Sequence, residues 1–406
     1  MTPPDVDPRS EALAPATPRS LGMERQLAIY RAGLAGQRPP FPVTHSGLKK
    51  AARKALSTEA YGYVAGSAGT ESTARANRSA FERHRIVPRH LRGVEMRDLS
   101  IELFGQRLQA PLLLAPIGVM GILHDEAELA VARAAAAVEM PIVLSTVSSK
   151  SLEEVAAVGE GAPRWFQLYW PSDPEFARSL LDRAKVAGYS AVVVTLDTFL
   201  LAWRPRDIGH GYLPFMHGDG LSNYFSDPVF RGSLEVPPED DPAAAVQRFA
   251  TVFSNAGVTW EDLDSLAEMT DLPIVVKGVL HPEDARKALE HGADGVIVSN
   301  HGGRQVDGAI ASLDALPGVV DAVEGRVPVL FDSGIRTGAD VFKAIALGAD
   351  ATLVGRPYAY ALAVGGEEAV RETLLNLLAE FDLTMGLSGC RSVEEIGRDL
   401  LTPRDG

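Results

Sequence analysis

Between residues 112 and 354 the chain alternates short apolar runs with longer stretches of helical periodicity. The apolar runs fall at 112–115, 142–144, 166–169, 191–196, 274–277, 295–299, 329–331 and 351–354. Most are continuous and rich in β-branched residues, the pattern of strands buried on both faces. Helical stretches at 126–138, 174–187, 282–291 and 338–347 lie between them. Strand and helix in alternation predict an α/β fold with a parallel sheet. Eight strands is the number that closes a (β/α)8 barrel. An open doubly wound sheet is the competing architecture.

Three regions fall outside this alternation. Residues 24–84 carry helical patterning broken by Gly and Pro, an N-terminal helical extension to the barrel. An extended stretch at 86–89 and a hairpin over 100–108 follow it. Between the fourth and fifth strands, residues 204–273 form an insertion too long for an ordinary connection. Loops of such length are functional lids or partly disordered, and in a barrel a loop after a strand lies on the catalytic face. Residues 1–20, rich in Pro, Ala and Ser, read as a disordered tail, leaving 21–406 as a single domain.

Composition narrows the function. A chain of 406 residues, 46% hydrophobic and 23% charged, is globular and long enough for a barrel of about 250 residues with additions. Its net charge of -14 argues against nucleic acid, whose binding needs Lys and Arg to neutralise phosphates. It leaves open a small anionic substrate held in a locally positive pocket. Cys390 is the single cysteine, so an internal disulfide and a cysteine metal cluster are excluded, as suits a reducing compartment. No apolar run reaches the roughly 18 residues of a membrane-spanning helix. No secretory signal is visible, so a cytoplasmic location is expected.

Polar residues at the C-terminal ends of barrel strands face the catalytic centre. They are dense here: Gln167 and Tyr169 end the third strand, Thr195 and Asp197 the fourth, Lys277 the fifth. The sixth ends in Ser299-Asn300-His301-Gly302-Gly303-Arg304-Gln305. Asp332, Gly334 and Arg336 follow the seventh, Gly355 and Arg356 the eighth. The last two loops occupy the usual phosphate site of such barrels, where glycines admit backbone N–H groups and an arginine adds charge. Either loop alone also reads as turn glycines beside a solvated arginine. His301 is suited to take a proton near neutral pH, with Arg304 close enough to hold a carboxylate. Asp197 either orients the imidazole or caps a helix. Lys277, ending a buried strand, either forms a Schiff base or sits beside an anionic cofactor.

Together these motifs resemble the FMN-dependent 2-hydroxy acid oxidases and dehydrogenases, over residues 40–400. The 299–305 segment carries most of the resemblance. Ala115-Pro116-Ile117-Gly118, Phe166-Gln167-Leu168-Tyr169, Thr195-Leu196-Asp197-Thr198, Val276-Lys277-Gly278 and Leu387-Ser388-Gly389-Cys390-Arg391 add to it. The resemblance implies FMN as cofactor and a homo-oligomer, a tetramer or octamer. It also implies His301 as proton acceptor with Asp197 as its partner. Arg204, Arg304 and Tyr63 would then bind the substrate carboxylate, and Tyr169 would contact the substrate hydroxyl region. Ala115, Pro116, Ile117, Ser145, Gln167, Thr195, Lys277 and Ser299 are implied at the flavin and ribityl part. Asp332, Gly334, Arg336, Gly355 and Arg356 are implied at ribityl and phosphate. No metal is implied.

Within the family, Trp203-Arg204-Pro205-Arg206-Asp207, Tyr212-Leu213-Pro214-Phe215, Asn223-Tyr224 and Ser226-Asp227-Pro228 resemble the lactate 2-monooxygenases. These convert L-lactate and O2 to acetate, CO2 and water. Two positions depart from the wider family: Val147 stands where a tryptophan is common, and Ser67 where glycine is usual. Val147 motivates an alternative, an oxidase or dehydrogenase for a larger 2-hydroxy acid such as a mandelate. A Schiff-base aldolase and a non-catalytic FMN-binding barrel are the remaining readings.

Overall fold

The computed structural model describes residues 20–159 and 161–403, so most of the expected tail lies outside the described residues. Eight parallel strands close into one barrel in chain order. They are β1 (Leu112–Leu114), β2 (Ile142–Ser145), β3 (Arg164–Leu168), β4 (Val192–Thr195), β5 (Ile274–Val279), β6 (Gly295–Val298), β7 (Val329–Phe331) and β8 (Ala351–Val354). β8 pairs with β1, Leu353 opposite Leu113, which shuts the sheet and removes its edges. The doubly wound alternative is thereby set aside. The expected helices are present at Ala127–Ala136, Pro174–Val186, Pro282–Glu290 and Gly338–Ala346.

Side chains alternate across each strand, so each strand supplies two cores. Leu113, Val143, Trp165, Val193, Val275, Ile297, Leu330 and Leu353 point inward and pack together as the barrel interior. Leu112, Leu114, Leu144, Phe166, Val194, Val276, Val298 and Phe331 point outward, into the larger core beneath the helices. The expected hairpin forms from Ile101–Leu103 and Gln106–Leu108. Its Leu103, Phe104 and Leu108 join the interior cluster and plug the lower end, with Phe104 edge-on to Trp165 at 5.4 Å.

The N-terminal extension is helical at Leu21–Leu34, His45–Ala55, Thr58–Ala65 and Ser72–Glu82. Ser20, assigned to the tail by composition, is the N-cap of the first of these and donates to Asp382 at 2.7 Å. The extended stretch expected at 86–89 ends earlier, as His84–Ile86 paired antiparallel with Leu401–Pro403. Pro88 has no N–H to continue the ladder.

The insertion after β4 differs most from expectation. It is an ordered layer containing helices Pro205–His210, Ser222–Phe225, Pro228–Gly232 and Pro242–Phe253, before Trp260–Ala267 returns the chain to β5. Asp227 and Asp241 each cap a helix whose first residue is proline, a strong local start signal. Tyr224, Phe230 and Phe249 pack edge-on, Tyr224 to Phe249 at 4.8 Å and to Phe230 at 5.5 Å. Asn223 then stitches the insertion to the loop after β2. Its Nδ2 donates to Ser145 O, Thr146 O and Ser148 Oγ, and its Oδ1 accepts from Leu152 N at 2.8 Å.

Asn223 is fully buried, so an apolar replacement strands several polar groups at once. Asn223→Ala is expected to lower stability by about 2–4 kcal/mol. A urea melt checks this; a midpoint equal to the parent's would mean that the insertion is not held through this side chain.

Candidate active site

The alternation that fills the barrel also sets its upper rim. Two residues beyond the inward Leu113, Val143, Trp165, Val193, Val275, Ile297, Leu330 and Leu353 come Ala115, Ser145, Gln167, Thr195, Lys277, Ser299, Asp332 and Gly355. Each strand therefore contributes one inward residue to a top layer, and all eight were singled out from the sequence. Hydrogen bonds knit the layer: Ser145 Oγ to Gln167 Oε1 at 3.1 Å, and Gln167 Nε2 to Thr195 Oγ1 at 2.9 Å. Lys277 Nζ donates to Ser299 Oγ at 2.9 Å and pairs with Asp332 Oδ2 at 3.1 Å.

Above this layer opens a cleft of about 1120 Å³. Ala115, Pro116, Ile117, Lys277, Asp332, Gly334, Arg336, Gly355 and Arg356 line it, as do Tyr63, Tyr169, Arg204, His301 and Arg304. Ser145, Gln167, Thr195 and Ser299 lie in the buried floor. Asp197 sits behind His301, its Oδ1 2.8 Å from Nδ1. Among the predicted positions none is displaced from this region.

His301 has a left-handed backbone (φ 56), with its N–H donating to Ser299 Oγ at 3.0 Å. Gly303 beside it (φ 78) cannot carry a side chain, because a Cβ there would lie 2.6 Å from Ala74 N. Asp197 accepts at Nδ1, which fixes the tautomer and leaves Nε2 for the cleft. Burial pushes His301 below its ordinary value, against the opposing pull of Asp197. Burial acts in the other direction on Asp197, but His301, Lys277 and Thr198 outweigh it and hold the carboxyl low. Lys277 is likewise penalised by burial, yet Asp332 and Asp197 raise it above the usual lysine value. The ion pair with Asp332 and the bond to Ser299 tie up the amine that a Schiff base would need, which counts against the Schiff-base reading.

Four arginines reach the cleft, and none has a carboxylate partner within 4 Å among the described residues. Arg304 donates to Tyr63 O at 2.6 Å and Gly66 O at 2.9 Å, its guanidinium 5.0 Å from the Tyr63 ring centre. Arg204 donates to Arg304 O at 3.1 Å. Arg356 donates to Val64 O, Gly302 O, Gly66 O and Ser67 Oγ. Ser67, one of the departures from the family pattern, is thus a partner of Arg356. Among the described residues the Arg336 side chain donates to Ile335 O, while its backbone N–H donates to Asp340. Burial first, then the cations around them, hold Arg304 and Arg336 below the ordinary guanidinium value. Such a concentration of buried positive charge, edged by Gly334 and Gly355, fits a phosphate at the Arg336 end and a carboxylate at the Arg204–Arg304 end.

Several lining residues were not assigned a role from the sequence. Thr198 donates to Asp197 at 2.9 Å, and Ser333 (φ 82) accepts from Gly302 N at 3.0 Å. Both lie inside motifs, which is the signal that marked them. Leu201, Phe215 and Phe253 form an apolar wall brought in by the insertion, and only the tertiary fold reveals them. Val147 completes that wall. It is buried against Gly118, where a Cβ would meet its Cγ2 at 2.5 Å.

A parallel barrel with buried cations around the cleft at its C-terminal rim admits anionic ligands, and comparison with known proteins supplies the class. Residues 52–403 match the family described as FMN-dependent dehydrogenase. The chain is 48% identical over 380 residues to an FMN-dependent alpha-hydroxy acid dehydrogenase of Penicillium citrinum, covering 93% of this chain and 94% of the relative. It is 45% identical over 367 residues to an L-lactate oxidase of Lysinibacillus sphaericus, covering 90% and 94%. A crystal structure of mandelate oxidase, 42% identical, superposes with a TM-score of 0.80 over 90% of this chain and 99% of the other. The chain belongs to the FMN-dependent dehydrogenase family: its cofactor is FMN and it oxidises 2-hydroxy acids. Among the described residues no helix is long and apolar enough to cross a membrane.

Removing one uncompensated buried cation has opposite effects on the apoprotein and on cofactor capture. Arg336→Met is expected to weaken FMN binding at least about tenfold, because a charge-assisted phosphate contact is lost. The apoprotein is expected to melt at a higher temperature than its parent, because like-charge repulsion with Arg356 and Arg78 is relieved. Flavin fluorescence titration and apoprotein melting read the two effects; unchanged FMN affinity would remove Arg336 from the phosphate site.

Proposed function

We propose that the enzyme acts on L-lactate and, by retaining the pyruvate it forms, releases acetate, CO2 and water. The observation that carries the oxidation step is the geometry of His301. Its Nδ1 is committed to Asp197 at 2.8 Å, so Nε2 is free to take a proton in a cleft flanked by two carboxylate-binding guanidiniums. Arg204 and Arg304 hold the substrate carboxylate, and Tyr63 and Tyr169 bound the same end of the pocket. His301 accepts the proton released as Cα is oxidised, and Asp197 stabilises the resulting imidazolium. FMN, when bound, accepts the two electrons and passes them to O2. Lys277 places a fixed positive charge at the flavin end of the rim, where it favours negative charge.

Retention is supported by the ordered insertion. Leu201, Phe215 and Phe253 wall the pocket, and a closed apolar wall keeps pyruvate beside the peroxide that decarboxylates it. A second reading is an oxidase that releases the 2-oxo acid and H2O2, favoured by the 45% identity to an L-lactate oxidase. Val147 in place of a bulky aromatic favours the same chemistry on a larger acid such as a mandelate. Assembly as a homo-oligomer in the cytoplasm is part of the proposed reading; the exposed Phe199, Leu200 and Trp203, between β4 and the insertion helices, support the assembly.

A product assay with L-lactate and oxygen separates the readings: acetate without free peroxide is expected, whereas pyruvate with stoichiometric peroxide means an oxidase. His301→Ala is expected to keep FMN and to lose reduction by lactate by at least a hundredfold, on the order of a general base's contribution. Burial lowers the imidazole against the pull of Asp197 and so favours its neutral, proton-accepting form. The rate of anaerobic reduction is therefore expected to be flat above pH 7 and to fall only below the ordinary imidazole value of about 6.5. A half-maximal rate above pH 7 would assign the limb to another group.

A further inference from the structure

Gln305 closes the motif that contains His301, and its amide spans three separate parts of the site. Oε1 accepts from Arg204 Nη2 at 2.9 Å, while Nε2 donates to Asp197 O at 2.6 Å and Leu200 O at 3.2 Å. The orientation of this amide is forced by its partners. A guanidinium only donates and backbone carbonyls only accept, so the reversed amide would lose all three bonds.

We propose that Gln305 is a positioning residue that couples the carboxylate-binding Arg204 to the Asp197–His301 pair. The inference rests on the roles proposed above for those three residues. Arg204 Nε donates to Arg304 O, and the charge of Arg204 disfavours that of Arg304, while Asp207 acts on both from beyond ion-pair distance. Repulsion between the two cations favours splaying, and burial makes it stronger than in water. The bond from Arg204 to Gln305 holds one guanidinium in place, so that both converge on a single carboxylate when it arrives. On the other side, the bond to Asp197 O fixes the backbone of the residue whose side chain orients His301. The bond to Leu200 O fastens the first residues of the insertion to the same amide. Carboxylate grip, proton acceptor and insertion entry thereby share one anchor, which is the alignment that proximity effects demand.

This predicts a pattern that lost stability alone does not produce. The test uses the FMN-loaded enzyme and two readouts: the Kd of pyruvate from its perturbation of the flavin absorbance, and the anaerobic reduction rate at saturating L-lactate. Gln305→Met keeps the side-chain length and removes every hydrogen bond. It is expected to bind FMN as its parent does, to bind pyruvate about tenfold more weakly, and to be reduced several-fold more slowly at saturation. Gln305→Glu keeps the shape and presents a carboxylate to Arg204. It is expected to weaken pyruvate binding further, because the new side chain competes for that guanidinium, and it supplies the test should the methionine variant not fold. Arg204→Met is the control. Normal pyruvate binding in Arg204→Met would overturn the role of Arg204 and the inference with it. Weak binding in Arg204→Met beside parental binding and reduction in both Gln305 variants would overturn the inference alone.

Discussion

Positive charge with no carboxylate in contact governs this protein: among the described residues Asp207 and Asp340 act on the cleft arginines only from beyond ion-pair distance. Arg204, Arg304, Arg336 and Arg356 converge on one cleft in a chain whose net charge is -14, and they bond to carbonyls, a hydroxyl and an amide rather than to carboxylates. Burying an unpaired cation is costly, and the fold offsets that cost with oriented backbone dipoles. Many of those dipoles come from the N-terminal extension: Tyr63 O, Val64 O and Gly66 O accept from Arg304 and Arg356. This gives the helices that precede the barrel a reason to exist. They return over the catalytic face and supply acceptors to guanidiniums that a bare barrel would leave stranded.

The extension also braces the loops that carry the chemistry. Asn77 exchanges two amide hydrogen bonds with Asn300, each 2.8 Å, immediately before His301. Asp307 accepts from the backbone and hydroxyls of Thr70 and Ser72 and so caps the helix Ser72–Glu82 from a distant loop. The left-handed backbone at His301 is held between that helix and Ser299. Preorganisation of this kind is what lets a buried imidazole present one nitrogen to Asp197 while the ring lines the cleft.

Much of this was legible in the sequence because barrel physics is periodic. Continuous apolar runs placed the eight strands, and the polar residues at their C-terminal ends placed Gln167, Thr195, Lys277, Ser299 and Asp332 at the rim, while Ser145 came only from the family resemblance. Strand ends were less legible. The runs at 191–196 and 295–299 extend past Thr195 and Val298, because Leu196 still packs partly buried against the core and Ser299 is fully buried after leaving the ladder. The place of the insertion after the fourth strand was legible, its internal helices were not: Asp227-Pro228 and Asp241-Pro242 start helices inside a segment read only as a long connection. Contacts such as Asn223 to the β2 loop or Phe215 over the cleft depend on tertiary folding and have no local signature. Ser67 and Val147 were visible as departures, and only the structure gives them partners, Arg356 and Gly118.

The central claim is that this cleft holds FMN and an L-2-hydroxy acid so that electrons pass from Cα to the flavin while His301 takes the proton. Anaerobic mixing of the yellow holoenzyme with L-lactate and with D-lactate, followed at the oxidised flavin band, tests it most directly. The account predicts that L-lactate bleaches the band and D-lactate does not. An enzyme that binds FMN stoichiometrically yet is bleached by no 2-hydroxy acid, lactate or mandelate alike, would contradict it.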